Sequence, residues 1–368
     1  MKVGLVPLLY DEYNYGGVLQ FYALQYVLRK EGFECEIVFF HNDEKVSFVC
    51  LNLYRQIILK IKIFIASKLF RKKNMKLDNK LRKRKEKIDA FKKQYYSEFV
   101  DEKNVDLKSY DAFICGSDQI WNPAWARRRS FLEFVPESVN KIIYAASLGC
   151  ENLTEEQKKC FKPRIERLNY VSVREESAKV ILQTFIDKPQ IELVLDPTLL
   201  LSRKEWINIK KNTNYKNYIF TYFLGEYSDK LSYLSTFARE KGLKIINIVY
   251  ASGEREDIND FGDIQIIDAD PSEFLGLIDG ADYIFTDSFH ACVFSMLFKK
   301  EFYVFQRDGS KQMLGRITTL FNNFNLPNRI IPVGEINELP KIDYTYIDER
   351  QEVLKNKSIR FLQESLNE

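Results

Sequence analysis

The chain has 368 residues, 45% of them hydrophobic and 29% charged, with 55 Lys and Arg set against 52 Asp and Glu. That length exceeds one ordinary core and predicts two domains, and the composition excludes a disordered or fibrous chain. A net charge of +3 makes no case for nucleic acid as a partner. Six cysteines, at positions 35, 50, 115, 150, 160 and 292, form no Cys-x-x-Cys pair, and several lie in apolar runs. They read as reduced, buried thiols of a cytosolic protein, not as a disulfide framework or a zinc site.

In chain order, Met1 to Leu9 runs directly into a strand pattern with no secretory signal, and the first strand is expected over Lys2 to Leu8. Leu19, Ala23, Tyr26 and Val27 recur at helical spacing and predict a helix from about Gly16 to Lys30, stopped by Gly32. A second strand, Glu34 to Phe40, completes the opening βαβ of a doubly wound sheet. From about 52 to 99 the chain turns helical and basic, with sixteen Lys or Arg against Asp78, Glu86 and Asp89 between Arg55 and Lys93. Two readings stand for this run: a solvated helix face, or a basic amphipathic surface that approaches anionic lipid or a lipid-linked diphosphate. The apolar stretch Ile57 to Phe70 is broken by Lys60, Lys62 and Lys68, which excludes an ordinary bilayer span.

Buried strands follow at Asp111 to Cys115, leading into Gly116-Ser117-Asp118, and at Ile142 to Ala146. A helix over about Thr154 to Arg167 precedes the strand Tyr170 to Val173 and Arg174, and Val194-Leu195-Asp196-Pro197-Thr198 closes this half. A second α/β series starts near Tyr218, with strands at Tyr218 to Phe223, Lys244 to Val249, Tyr283 to Thr286 and Phe302 to Phe305. Helices near Ser228 to Lys241, Ser272 to Asp279, Ser288 to Phe298 and Lys311 to Asn323 alternate with them. A last amphipathic helix, Ile347 to Leu366, is placed to pack back on the first domain. The expected domains are 1–205, carrying the basic insertion at about 52–99, and 206–345, with 346–368 as the returning helix: two similar α/β domains facing across a cleft.

The chain has two histidines. His41 ends a strand before Asn42, Asp43 and Glu44 and reads as a surface residue. His290 falls at the carboxyl end of a strand and in the first turn of a helix, preceded by Thr286, Asp287 and Ser288, at the crevice near a positive helix end, and reads either as a functional group or as a capping or packing histidine. Arg174 is placed in the same way: it is either a bidentate holder of carboxylate or phosphate, or an ion-pair partner of Glu175 or Glu176. Lys311 and Arg316 lie on the crevice side after Phe305, as anion holders or as ordinary solvated cations. The turn Gly116, Ser117, Asp118 brings backbone N–H groups near an oxyanion, and Gly16 and Gly17 permit close backbone approach. No Walker A pattern, no Gly-x-Gly-x-x-Gly at a strand end and no metal-ligating cluster is present, so neither a metal nor a cofactor is expected.

Five segments taken in order resemble the polysaccharide pyruvyltransferase family. They are Asn14-Tyr15-Gly16-Gly17-x-Leu19-Gln20 with Ala23-Leu24-Gln25, then Gly116 to Asn122 including Trp121, then Ser172-Val173-Arg174-Glu175, then Leu195-Asp196-Pro197-Thr198, and last Thr286-Asp287-Ser288-Phe289-His290. The resemblance implies a two-domain fold like that of the GT-B glycosyltransferases, with two Rossmann-like domains. It also implies phosphoenolpyruvate as donor substrate and a sugar hydroxyl pair, on a polyprenyl-diphosphate-linked repeat unit, as acceptor. Arg174, His290 and Lys311 match the family's donor-site arginine, histidine and downstream lysine. Ser288 and Phe289 stand where better-studied members carry an arginine, a charge that Arg316 or Arg127-Arg128-Arg129 is placed to supply. Asp118 and Asp287 are both candidates for the base, and the acceptor is expected around Asn14 to Gln20 and Ser117 to Trp125, which takes in Trp121 and Asn122. The expected setting is cytoplasmic, with region 55–93 available for peripheral contact with the inner membrane face. The rival readings are a nucleotide-sugar glycosyltransferase and a non-catalytic component of a polysaccharide assembly complex.

Overall fold

The computed structural model describes residues 1–8, 13–40, 45–46, 75–225, 231–249, 261–306, 314–331 and 339–367. His41, Cys50, Lys311, the start of the helix expected at Ser228, and residues 52–74 of the basic region lie outside the described residues.

Apolar runs that can be buried on both faces are what parallel strands require, and two sheets are built from them. The first holds β1 (Lys2–Val6), β2 (Glu34–Phe39), β3 (Phe99–Asp101), β4 (Ala112–Asp118), β5 (Asn140–Ala146), β6 (Tyr170–Val173) and β7 (Ile191–Leu193) in the order β3-β2-β1-β4-β5-β6-β7. The second holds β8 (Tyr218–Tyr222), β9 (Lys244–Ile248), β10 (Ile264–Ile266), β11 (Tyr283–Thr286), β12 (Glu301–Phe305) and β13 (Ile330–Ile331) in the order β10-β9-β8-β11-β12-β13. Every pairing between these strands is parallel. In both sheets the winding direction reverses next to the first strand, between β1 and β4 and between β8 and β11, and such a reversal opens a crevice beyond the carboxyl ends of the strands. Strand β4 runs three residues past the expected end, pairing Asp118 with Ala146. The extension is possible because Gly116 takes φ 132°, where a Cβ would lie 2.1 Å from the Tyr144 carbonyl oxygen.

Helix α1 (Tyr15–Lys30) begins with the Asn14 side chain accepting from Gly17 N at 3.2 Å. It is buried on most of its circumference, because the second domain covers the side that the first leaves open. Its partners there are α7 (Pro271–Gly280) and α8 (Phe289–Leu297), so one core runs through both domains. Tyr15 marks the seam: its ring stacks on Phe274 at 4.7 Å and its hydroxyl donates to Ala269 O at 2.8 Å.

Helix α2 (Met75–Tyr95) lies in the basic region and is amphipathic in an unusual way. Ile88 and Phe91 enter the core, whereas Lys80, Arg82, Lys83 and Lys93 are exposed. Between these faces Arg84 is fully buried, donating to Val249 O and to Tyr13 O at 2.7 Å each while its guanidinium lies 4.2 Å from the Tyr15 ring centroid. This cation bridges the end of β9 in the second domain and the residue before the cap of α1 in the first. Helix α10 (Ile347–Asn367) crosses back onto the first sheet. Ser358 Oγ accepts from Leu195 N at 2.9 Å, Ser365 O accepts from Asn140 Nδ2 at 2.6 Å, and Leu362 and Leu366 join the core. No helix among the described residues is long and apolar enough to cross a membrane.

Candidate functional site

The crevice takes its polar groups from strand ends of both sheets. On the second-domain side Thr286, at the end of β11, donates from Oγ1 to Tyr222 O at 2.5 Å and accepts from Ser288 N at 3.0 Å. Ser288 then caps α8, accepting from Ala291 N. Asp287, between them, uses both carboxylate oxygens to accept from Leu224 N and Gly225 N, each at 2.7 Å. It therefore ties down the loop after β8. With these turns fixed, His290 points from the first turn of α8 toward the first domain.

The imidazole meets that domain on two sides. A Cβ on Gly16 would lie 2.1 Å from His290 Nδ1, so the ring rests directly on the glycine backbone at the start of α1. His290 Nε2 stands 3.6 Å from Asp196 Oδ2 and has no hydrogen-bond partner. Asp196 is held from its own domain: Oδ1 accepts from Thr198 N at 3.0 Å and Thr198 Oγ1 at 2.6 Å, and Oδ2 accepts from Arg174 Nη1 at 2.5 Å.

Arg174, at the end of β6, joins the strand ends around it. Its Nη2 donates to Asp118 Oδ1 at 2.7 Å, and its Nε lies 3.7 Å from Glu175 Oε2. Phe289 lies against it, with the Arg174 guanidinium 4.8 Å and the Arg316 guanidinium 5.9 Å from the ring centroid. The position where an arginine was expected thus carries an aromatic ring that gathers two arginines from other elements. Arg316 comes from α9 (Leu314–Phe324).

Burial of this cluster works against charge, and the partners decide each outcome. For Asp196, burial opposes ionisation, but the charges of His290 and Arg174 and the Thr198 hydroxyl hold its carboxyl far below the usual range. For Asp118, burial is likewise overcome by Arg174, with help from His290 and Arg316, and its carboxyl stays below the usual range. Glu175 goes the other way: burial dominates and pushes it up in spite of Arg174 and Arg316. Burial also disfavours charge on Arg174, yet Asp118, Asp196 and Glu175 together raise its affinity for the proton.

Of the residues singled out in the sequence, Gly16, Asp118, Arg174, His290 and Arg316 come together here, with Ser117 and Gln20 behind them. Gln20 Oε1 accepts from Ser117 N at 3.1 Å and Ser117 Oγ at 2.9 Å, so the amide expected to face an oxyanion is already bonded inside the protein. Gly116 shapes the strand, while Asn14 and Gly17 form the helix cap. Trp121 is fully buried, stacked on Phe131 and donating to Ser130 O at 2.9 Å. Asn122 closes its own loop through Gln119 and Ala124. Of the triplet 127 to 129, Arg128 pairs with Glu133 and Arg129 is buried. Asp196 enters the sequence resemblance only within the segment Leu195-Asp196-Pro197-Thr198, with no role of its own. Its signal was an Asp-Pro-x turn at a strand end with Thr two residues after the Asp, the pattern of a capped turn. Among the described residues no group of three or more His, Cys, Asp or Glu is arranged to hold a metal ion.

Comparison with known proteins adds family and fold. A family model described as polysaccharide pyruvyl transferase matches residues 14–309. No curated protein matches the chain by sequence. Among solved structures, UDP-GlcNAc 2-epimerase from Methanocaldococcus jannaschii is similar with a TM-score of 0.51 at 12% identity, over 100% of this chain and 93% of that one. UDP-N-acetylglucosamine 2-epimerase from Rickettsia bellii gives a TM-score of 0.49 at 10% identity, over 100% of this chain and 96% of that one. The E. coli heptosyltransferase with ADP gives 0.42 at 12% identity, over 99% of this chain and all of that one. At such identities the likeness is one of fold, a GT-B-like pair of α/β domains.

Proposed function

Because the chain belongs to the polysaccharide pyruvyl transferase family, we propose that it moves the enolpyruvyl group of phosphoenolpyruvate onto two hydroxyls of one sugar in a polysaccharide repeat unit, forming a cyclic pyruvate ketal. The observation that carries this reading is His290, seated between Gly16 and Asp196 where the two sheets' crevices meet, with Arg174 and Arg316 gathered on the neighbouring Phe289.

The reaction needs a proton on the methylene carbon of the donor, which leaves an oxocarbenium-like centre for the first sugar hydroxyl to attack. The carbon–oxygen bond to phosphate then breaks, and the second hydroxyl adds to close the ring. Of the two hydroxyl protons, one balances the proton now in the new methyl group and the other leaves on inorganic phosphate. His290 is assigned delivery of the first proton, a role supported by its Nε2, whose hydrogen bonding is unsatisfied. Asp196 Oδ2 faces that nitrogen at 3.6 Å, while Gly16 sets the ring's position.

Arg316, together with Lys311 by its family match, is assigned to the donor's phosphate and carboxylate. The Nη1 and Nη2 atoms of Arg174 already face carboxylates, so its assigned part is to hold Asp118 and Asp196 in place. Asp118 is the base candidate retained, since the oxygens of Asp287 are occupied by backbone amides. A lipid-linked acceptor agrees with the exposed cations of α2, and sedimentation with anionic vesicles that leaves the protein in the supernatant would remove that part.

The test is incubation with phosphoenolpyruvate and a panel of free and lipid-linked glycosides. The expected result is phosphate release that depends on the sugar, with a pyruvyl mass gain on it; release indifferent to any sugar counts against the reading. The fold likeness to an enzyme of UDP-GlcNAc supports a second reading, a nucleotide-sugar glycosyltransferase. Thermal stabilisation by a nucleoside diphosphate with none by phosphoenolpyruvate would favour it.

A further inference from the structure

Three of the residues expected to receive the acceptor sugar turn inward. Ser117, Gln20 and Trp121 are all fully buried, and each is hydrogen-bonded within the protein. A different opening lies next to the site: a cavity of about 470 Å³ at the seam of the two domains. Glu151 enters it from the loop after β5 and Gln306 from the end of β12, so it lies at the carboxyl ends of strands of both sheets. Glu176 and Ser177 open α4 (Glu176–Gln183), and Thr318 and Asn322 lie one turn apart on α9.

The cavity is continuous in sequence with the charged cluster on both sides. Glu175 immediately precedes Glu176, and Arg316 sits between Gly315 and Thr318 on α9. The two helices are joined across the seam by Glu176 N donating to Thr319 Oγ1 at 3.4 Å.

The chemistry of the walls selects the occupant. Among the described residues that line the cavity none is cationic, and two are glutamates. An anionic molecule placed there would meet the carboxylates of Glu151 and Glu176. Carboxylate, amide and hydroxyl groups instead offer both acceptors and donors to sugar hydroxyls. The volume falls within the range of small-ligand sites, roughly 300–1,000 Å³.

We infer that this cavity is the acceptor subsite, taking an uncharged hexopyranose unit through its hydroxyls, while the anionic donor occupies the cation side at His290 and Arg316. The inference rests on the proposed function for the identity of the donor, but its geometry is independent of it. Charge therefore divides the crevice: the wall with arginines holds phosphate and carboxylate, and the wall with glutamates and amides holds sugar. Substrate hydroxyls then reach the reacting carbon from the α4 and α9 side.

Binding to an array of neutral and acidic glycans, measured beside thermal stabilisation by phosphoenolpyruvate, tests this. Thr318 and Asn322 are exposed, so Thr318→Trp fills the cavity and Asn322→Ala removes an amide without entering the core. The expected result is binding of neutral hexopyranoside-terminated glycans by the wild type. That binding falls by about tenfold or more in Thr318→Trp and by several-fold in Asn322→Ala, with stabilisation by phosphoenolpyruvate unchanged in both. Glycan binding that survives Thr318→Trp, a preference for acidic glycans, or no glycan binding at all overturns the inference. Loss of glycan binding in Thr318→Trp together with no response of the wild type to phosphoenolpyruvate upholds the subsite and overturns the donor.

Discussion

The two lips of the crevice are built on the same strand winding but do different things. The first-domain lip is a closed set of charges, with Arg174 bonded to Asp118 and Asp196 and flanked by Glu175, all buried and all from strand ends of one sheet. The second-domain lip presents His290 and Arg316 from helices, and the imidazole reaches across without closing a hydrogen bond. The lesson is a division of labour at equal topology. One switch point supplies a buried electrostatic frame, and the other carries an imidazole with an unsatisfied ring nitrogen, brought against that frame where the domains meet.

Substitutions can break or sharpen this contrast. The largest effect is expected from His290→Ala, which should lower kcat by about 10²- to 10⁴-fold, the usual worth of a general acid, with the midpoint of thermal unfolding nearly unchanged. A kinetic assay beside a melting curve checks it, and a large loss of stability would place His290 in the frame instead. Asp196→Ala should do the reverse in emphasis: it leaves the buried Arg174 cation short of a partner, at a cost of about 3–5 kcal/mol in urea unfolding. Arg84→Met should cost about 1.5–3 kcal/mol by leaving the Val249 and Tyr13 carbonyls without their charged donor, and should broaden the unfolding transition if the domains then part separately.

The pH dependence of stability gives the smallest and most selective test. Asp118 and Asp196 are held down in the folded protein, so their contribution is full above the ordinary carboxylate value of about 3.9 and is lost as pH falls through the folded values. Glu175 is held up, so stability from it is present below its ordinary value of about 4.3 and falls as pH rises through the folded value. Melting curves across pH should therefore show Asp118→Asn flattening the acid limb and Glu175→Gln flattening the opposing slope. Equal slopes in both variants and the wild type would mean that the cluster is not the coupled frame described above.

The alternation of apolar strands with periodic helices made the central strands of both sheets legible, because long runs such as those of β4 and β8 can only be buried. Edge strands β3, β7, β10 and β13 were not legible. Each has two or three residues and exists only because a longer neighbour offers hydrogen bonds. His290 and Arg174 could be picked out because a charged residue at a strand end has a defined place in a doubly wound sheet. Asp196 could not be ranked in the same way, since its role arises from three separate segments converging on one carboxylate. Trp121 looked available as a loop aromatic beside Asn122, but the fold places its indole N–H on the Ser130 carbonyl and its ring in the core. In α2 the basic count concealed an apolar face, because Ile88 and Phe91 are two residues among many lysines.

The return of α10 to the first sheet has a consequence for synthesis. As the chain leaves the ribosome, all seven strands of the first domain emerge before the second domain begins, yet the surface that Phe361, Leu362 and Leu366 cover stays open until the segment 347–367 is made. Domains ordinarily mature in the order in which they are translated. Here that order is inverted: the domain that starts first is completed last, and a chaperone that shields apolar surface has its longest task on the first half of the protein.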